Sequence, residues 1–500
     1  MFTKGKLRRS LCLLFVPFLI ASSIFLVQRI TTGKVSIPKL EDLDPRPPAS
    51  TGPPKVLHKP PLAQPPPITD NFPLAAKATS PTDLPPIPEW NRPPSPHVNE
   101  STPLFIGFTR NWSLLQQVVV SYIVAGWPPE DIYVIENTGV MNSNRDGKLT
   151  LQNPFYLDHH RLTEILGVNV IHTPTLFTFA QMQNFFIYTA LEHGWSHYFW
   201  AHMDTVVVSD EEWDGDPWKP LYARAVDALR ETLDPAWGPL ATRWFAYDHL
   251  ALVRTEAFVD VGGWDTMIPF YLTDCDMHER LWMRGFRIEN AQAGKVWDVA
   301  SAIDDMALLY QRGGDSVQKV AKKREAAEEA NATTSSIDTA SKLSTTTSTP
   351  PQKSSAAALP TPSATITRSS VLYHEILRAL DTKQHEKNAH GGGGRNTWQS
   401  RQMGGQGEPF YRDPEGFEES ILSMMEWGKS VFAAKWGRDR CDLRDSGLGE
   451  GDAWRVVRGW EDEGVQREFW RERRKEEKEK VAKEKVAKEV GGGEKGKEGG

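Results

Sequence analysis

Residues 104–136, LFIGFTRNWSLLQQVVVSYIVAGWPPEDIYVIE, carry the reading that decides the fold. The run LFIGFT at 104–109 is short and apolar, as a buried strand requires, and residues 114–125 repeat apolar positions at helical spacing. DIYVIE at 131–136 is a second strand, so the stretch is one βαβ unit. Further along, residues 181–193 predict a helix that stops at Gly194, where a left-handed cap is readily adopted. HYFWAHMDTVVV at 197–208 then reads as one strand with a polar interruption. The interruption sets an acidic group at the carboxyl end of a buried strand, which is where open α/β sheets bind ligands. Short apolar runs alternating with amphipathic segments continue to about Tyr310, and the fold class expected is α/β, with one catalytic-sized domain over 101–310.

The flanks differ in composition. Residues 11–27 (LCLLFVPFLIASSIFLV) hold no charge and are preceded by Lys4, Lys6, Arg8 and Arg9. At about 1.5 Å per residue such a run reaches across a thin bilayer, and the basic flank keeps the short tail cytoplasmic. The expectation is a type II signal anchor (11–30) behind a cytoplasmic tail (1–10), in an ER or Golgi membrane with the rest of the chain lumenal. The small residues Ala21, Ser22 and Ser23 leave a cleaved signal peptide as the rival reading. Residues 31–100 are proline-rich and read as an extended stem. Residues 311–368 are rich in Lys, Ala, Ser and Thr and read as a disordered insert, 369–446 as helices packing back on the domain, and 447–500 as a charged tail. The chain contains 18 Trp, which demands a real core, while a net charge of -7 offers no basic field for nucleic acid. Of three cysteines Cys12 falls in the anchor, so Cys275 and Cys441 either pair or stand as two thiols. Sequons at Asn99, Asn111 and Asn331 permit glycosylation.

Two acidic sites stand out in the domain, Asp204 in the strand interruption and the pair Asp274 and Asp276 (TDCDM) at the start of a helix. Moving a sugar from a nucleotide diphosphate needs charge neutralisation on the leaving diphosphate and a base for the acceptor hydroxyl. The order of these segments resembles the GT-A glycosyltransferases, in particular the family-2-type nucleotide-diphospho-sugar transferases, over roughly residues 104–288. The resemblance implies a GT-A (Rossmann-like) fold and donor-binding roles for Thr109 and Arg110 after the first strand, Glu136 after the second, and Gln183 and Asn184 on the helix before the metal strand. It places the family's Asp-x-Asp motif on His202, Met203 and Asp204, with a histidine in place of the first acid. Asp204 and His202 are then the expected ligands of a divalent cation, Mn2+ first and Mg2+ second. WFAYDHLALVRTEAFVDVGGWDTMIPFYLTDCDMHERLWMRGF at 244–286 carries the strongest part of the likeness. There Gly263, Trp264 and Asp265 line the donor or acceptor pocket, Asp274 takes the place of the base, and Thr273 stands where the family has a further acid. Asp274 and Asp276 are expected to share protons if buried, and both also serve as first-turn acids of a helix. Arg280 either binds phosphate or pairs with Asp276 one helical turn back. Lys435, Trp436 and Gly437 are similar to a lumenal-transferase ending that folds back over the site.

The activity so implied is inverting transfer of a sugar from a nucleotide-diphosphate donor to a hydroxyl of a glycan, protein or lipid acceptor. The departures at His202 and Thr273 keep open a lectin-like or scaffolding protein that retains the fold without the chemistry. A zinc hydrolase built on His193, His197 and His202 is disfavoured because Gly194 breaks the helix such a pair needs. A nucleotidyltransferase shares strand order but would show a glycine-rich signature near the first strand, which is missing.

Overall fold

The structure is a computed structural model that describes residues 56–57, 59–60, 66–310, 371–389, 404–460 and 475. The expected tail (1–10), anchor (11–30) and insert (311–368) lie outside the described residues. Among the described residues no helix is long and apolar enough to cross a membrane. Every element below belongs to the unit Gln64–Gly500.

β1 (Leu104–Phe108), α1 (Trp112–Val124) and β2 (Ile132–Glu136) form the expected βαβ unit, with β1 and β2 parallel and in register from Leu104↔Ile132 to Phe108↔Glu136. Asn111 caps α1 by accepting from Leu114 N at 3.3 Å, which satisfies one of the helix's orphan amides. β3 (Asn169–His172), α2 (Phe179–Glu192) and β4 (His197–Ala201) follow. Thr178 caps α2 reciprocally with Gln181. The chain continues through β5 (Thr205–Val208), α3 (Leu221–Leu233), β6 (Leu240–Trp244), β7 (Leu250–Arg254), α4 (Thr255–Asp260) and α5 (Thr273–Met283). Last come β8 (Arg287–Asn290), β9 (Lys295–Asp298), α6 (Val371–Asn388) and α7 (Pro414–Trp436).

The main sheet has seven strands in the order β3-β2-β1-β4-β7-β6-β8. All neighbours are parallel except β7, which runs antiparallel to both β4 and β6. The sequence expectation of a single strand over 197–208 is corrected here. β4 belongs to the main sheet, whereas β5 pairs with β9 in a separate two-stranded sheet, so His202, Met203 and Asp204 form the turn between two sheets. The strand order reverses between β1 and β4, and a crevice opens outside the carboxyl ends of such a pair.

Alternation along the strands builds a core on each face. Leu104, Ile106 and Phe108 of β1 join Phe199 and Ala201 of β4 in a cluster with α1, α3 and α6. Phe105, Tyr198 and Trp200 point the other way, against α2, α4 and α5. Phe72, within the stretch expected as stem, is fully buried in the first cluster and stacks on Tyr310 at 5.9 Å. α7 brings Val431, Phe432 and Trp436 against Ile268 in a third cluster. Gly428 lets it approach, since a Cβ there would lie 2.9 Å from Pro269 Cδ. A disulfide joins Cys275 of α5 to Cys441 beyond α7, with Cα atoms 5.2 Å apart.

His197 opens β4 buried, with Ser196 Oγ 3.1 Å from its Nδ1. Burial, and then the charge of Arg254, push its pKa down to about 4. The unfolded chain therefore binds a proton below about pH 6.5 that the folded chain refuses until about pH 4. Stability is expected to fall across that window by up to about 3 kcal/mol. Urea titrations at several pH values should show the slope, and His197→Gln should flatten it.

Candidate active site

A cavity of about 450 Å³ opens where β1 and β4 end. Its floor is Gly107 and Thr109 from the end of β1 and Trp200 to Asp204 from the end of β4. α2 supplies Phe179, Met182 and Phe186, the β6–β7 turn supplies Tyr247, Asp248 and His249, and α5 supplies Thr273 and Asp274. Asp298 at the end of β9 and Lys387 near the end of α6 complete it. Asp204 and Asp274, 70 residues apart in sequence, thus line one cavity. Asn137 fixes the floor by donating to Phe177 O at 3.0 Å and to Thr109 Oγ1 at 3.4 Å.

The acidic turn is dense in charge. Lys387 Nζ donates to Asp204 Oδ2 at 2.8 Å, to Asp298 Oδ1, and to Val299 O at 3.5 Å. His202 Nδ1 lies 3.8 Å from Asp204 Oδ1 and its Nε2 lies 3.6 Å from Asp248 Oδ2. His249 Nε2 is 4.0 Å from Asp298 Oδ2. Burial raises the pKa of Asp204, but Lys387 and His202 outweigh it and leave the carboxyl below its usual range. Burial likewise lowers Lys387, and the carboxylates of Asp204 and Asp298 more than reverse that. The oxygen and imidazole donors are of the kind Mn2+ takes. Their arrangement does not fit one, because the Lys387 ammonium already sits on both carboxylates, and among the described residues no group of three or more acidic, His or Cys side chains has the geometry to hold a metal ion.

Asp274 and Asp276 separate sharply, which corrects the expectation of a catalytic pair. Positions two apart on a helix point to different sides. Asp274 is half-buried on the cavity wall and accepts from Tyr247 Oη at 3.2 Å. Asp276 is fully buried: its Oδ1 meets Lys435 Nζ at 2.7 Å and Trp436 Nε1 at 2.9 Å, and its Oδ2 accepts from Arg280 Nε at 2.9 Å. With its oxygens held by these donors it does not face the cavity, and it ties α5 to α7. Arg280 takes the ion-pair reading, and also donates to Gly263 O at 2.8 Å.

The remaining donor candidates serve as framework and do not line this cavity. Asn184 clamps the backbone of Trp264, accepting from its N and donating to its O, each at 2.8 Å. Gly263 has φ +72, and a Cβ there would lie 2.8 Å from Asn184 Oδ1, so the glycine is required by the turn. Trp264 is buried edge-to-face on Phe179, and Asp265 pairs with Lys435 at 2.7 Å. Gln183 is fully buried. Arg110 is buried between the rings of Phe155 and Phe417, 5.4 and 4.6 Å from its guanidinium, and burial pushes its pKa down to about 10. Glu136 is buried, with Asn144 Nδ2 at 2.7 Å, His159 Nε2 at 2.9 Å and His172 Nδ1 at 3.3 Å around its carboxylate.

Sequence reasoning did not single out Asp248, His249, Asp298 or Lys387. Asp248 and His249 form a polar pair between two apolar strands, and Asp298 ends KVWD as Asp204 follows YFWAHM, so both carried a readable signal. Lys387 carried none.

No protein-family model matches the chain, and no curated protein matches it. Among solved structures, the mannosyltransferase PcManGT from Pyrobaculum calidifontis, in complex with GDP-Man and Mn2+, is similar at 13% identity and a TM-score of 0.27, covering 41% of this chain and 58% of that one. A cytidylyltransferase from Leptospira borgpetersenii matches at 9% identity and a TM-score of 0.25, over 39% of this chain and 76% of the other. S. aureus TarS matches at 8% and 0.28, over 39% of this chain and 36% of its own. The chain thus spans little more than half of the mannosyltransferase and about a third of TarS. Likenesses this shallow carry no argument.

Proposed function

We propose that this chain is a glycosyltransferase of the GT-A type, moving a sugar from a nucleotide-diphosphate donor to an acceptor hydroxyl. The observation that supports it most is the meeting of Asp204 and Asp274, from separate loops, in one cavity at the strand-order reversal. The cavity's volume falls in the range of about 300–1,000 Å³ usual for small-molecule sites. Phe177, Phe179, Trp200 and Tyr247 offer flat apolar surface to a nucleobase or sugar ring, and Thr109, Asn137, His202 and His249 offer hydrogen bonds to hydroxyl and phosphate oxygens.

In this reading Asp274 accepts the proton of the acceptor hydroxyl as its oxygen attacks the anomeric carbon. The bond to the diphosphate breaks on the opposite side, and the displacement inverts the centre. Tyr247, on Asp274, holds the carboxylate toward the cavity. Because Lys387 occupies the Asp204–Asp298 pair, no step is assigned to a metal ion.

The acceptor class proposed is a glycan, protein or lipid met in the lumen of the secretory pathway, with the chain held at a Golgi or ER membrane by residues 11–30. The Cys275–Cys441 disulfide agrees with an oxidising compartment. The test is donor hydrolysis and equilibrium binding across a panel of nucleotide sugars. One donor is expected to bind and turn over, and turnover to rise with the right acceptor. Binding without turnover under any condition would assign a lectin-like protein instead, and no binding at all would end the proposal.

A further inference from the structure

We infer that the ammonium of Lys387 is the resident cation of Asp204 and Asp298, holding a seat that a divalent ion can take only when that ammonium is removed. The seat is built by the small sheet: Asp204 immediately precedes β5, Asp298 ends β9, and Thr205 pairs directly with Asp298. Register therefore brings the two carboxylates together before any cation is considered. Lys387 enters from the far end of α6 with its side chain 3% exposed. An ammonium has three donors, and here they reach Asp204 Oδ2, Asp298 Oδ1 and Val299 O.

α6 is not a loosely held plug. Tyr373, Ile376 and Leu380 are buried in the core shared with β1 and α1. Asp381 accepts from Trp297 Nε1 at 2.8 Å, Tyr373 Oη accepts from Glu211 N at 3.3 Å, and Lys383 Nζ donates to Ser301 Oγ at 3.1 Å. Lys387 also lies in the last turn of α6, where the helix dipole favours positive charge. A divalent ion would need the same carboxylate oxygens, and two cations a few ångströms apart in a partly buried site repel strongly. The ammonium and the ion are therefore exclusive. Without Lys387 the seat would keep two facing carboxylates with the imidazoles of His202 and His249 at their edge, donors of the kind Mn2+ takes that would have to draw together round the ion, since as they stand they do not hold one.

The inference concerns the same cavity as the sugar-transfer reading, but Mn2+ alone, without donor or acceptor, reads it out separately. The experiment titrates the full chain with Mn2+, following free ion by electron paramagnetic resonance and unfolding by thermal shift. Wild type is expected to show no saturable site at micromolar Mn2+ and no change in Tm. Lys387→Met is expected to bind one equivalent at least about tenfold more tightly and to gain roughly 5 °C in Tm at saturation, and Asp298→Asn added to it should abolish both. Lys387→Arg keeps the positive charge and should behave as wild type, and Lys387→Gln, which removes the charge but keeps a polar end, takes the place of the methionine variant with the same expected outcomes if that one does not fold. One equivalent of Mn2+ bound by wild type or by Lys387→Arg and lost in Asp204→Asn would overturn the inference, as would a folded Lys387→Met that binds none.

Discussion

Asp274→Asn is expected to lower the rate of sugar transfer by about 10²–10⁴-fold, the range over which a positioned general base contributes. The substitution keeps shape and removes the ability to accept a proton. Tyr247 Oη can still donate to the amide oxygen, so the side chain stays where the carboxylate was. Donor binding should hardly change, because the acceptor proton is taken only as the reaction proceeds, and the loss should therefore appear in kcat. The fold should tolerate it within about 1 kcal/mol, the worth of one acidic group at a helix N-terminus. Initial rates with donor and acceptor saturated, together with a denaturation curve, check both halves. Transfer at the wild-type rate would remove Asp274 from the mechanism, and a cooperative loss of structure would place its role in the fold.

The fold was readable in sequence wherever local pattern decides it. β1, α1 and β2 appear as expected because an apolar run, a helical repeat and a second apolar run need no distant information. The reading failed at 197–208 because periodicity reports burial and not partners: β4 and β5 are both fully buried, yet only pairing with β7 or β9 reveals that they belong to different sheets. The expectation of Mn2+ at His202 and Asp204 came from the family resemblance and did not anticipate Lys387, which is 183 residues from Asp204 and separated from it by low-complexity chain. A lysine one residue from a helix end is ordinary in sequence. Only tertiary packing of α6 makes it the partner of two carboxylates. The same limit explains Asp276, whose spacing from Asp274 suggested a catalytic pair although helix geometry turns it toward Arg280 and α7.

That division between the two carboxylates carries a large expected effect on stability. Asp276→Leu is expected to destabilise the fold by about 3 kcal/mol or more, since removing one member of a buried charge cluster leaves the others uncompensated. Arg280 and Lys435 would both lose a partner at side-chain exposures of 13% and 8%. Each keeps another, Gly263 O for Arg280 and Asp265 for Lys435, which holds the cost toward the lower end of the range of about 3–5 kcal/mol for breaking a buried pair. Trp436 Nε1 would also lose its acceptor, adding a desolvated donor. Asp276→Asn is not a rescue, because an amide nitrogen would face the Arg280 or Lys435 donors in place of a carboxylate oxygen. Urea denaturation of the three variants separates the roles: Asp276→Leu and Asp276→Asn should both unfold at clearly lower denaturant than wild type, while Asp274→Asn should lie close to it. Equal stability of Asp276→Leu and wild type would mean that α5 and α7 are held by their apolar contacts and the Cys275–Cys441 disulfide alone, and the buried charges would then be free of any structural duty.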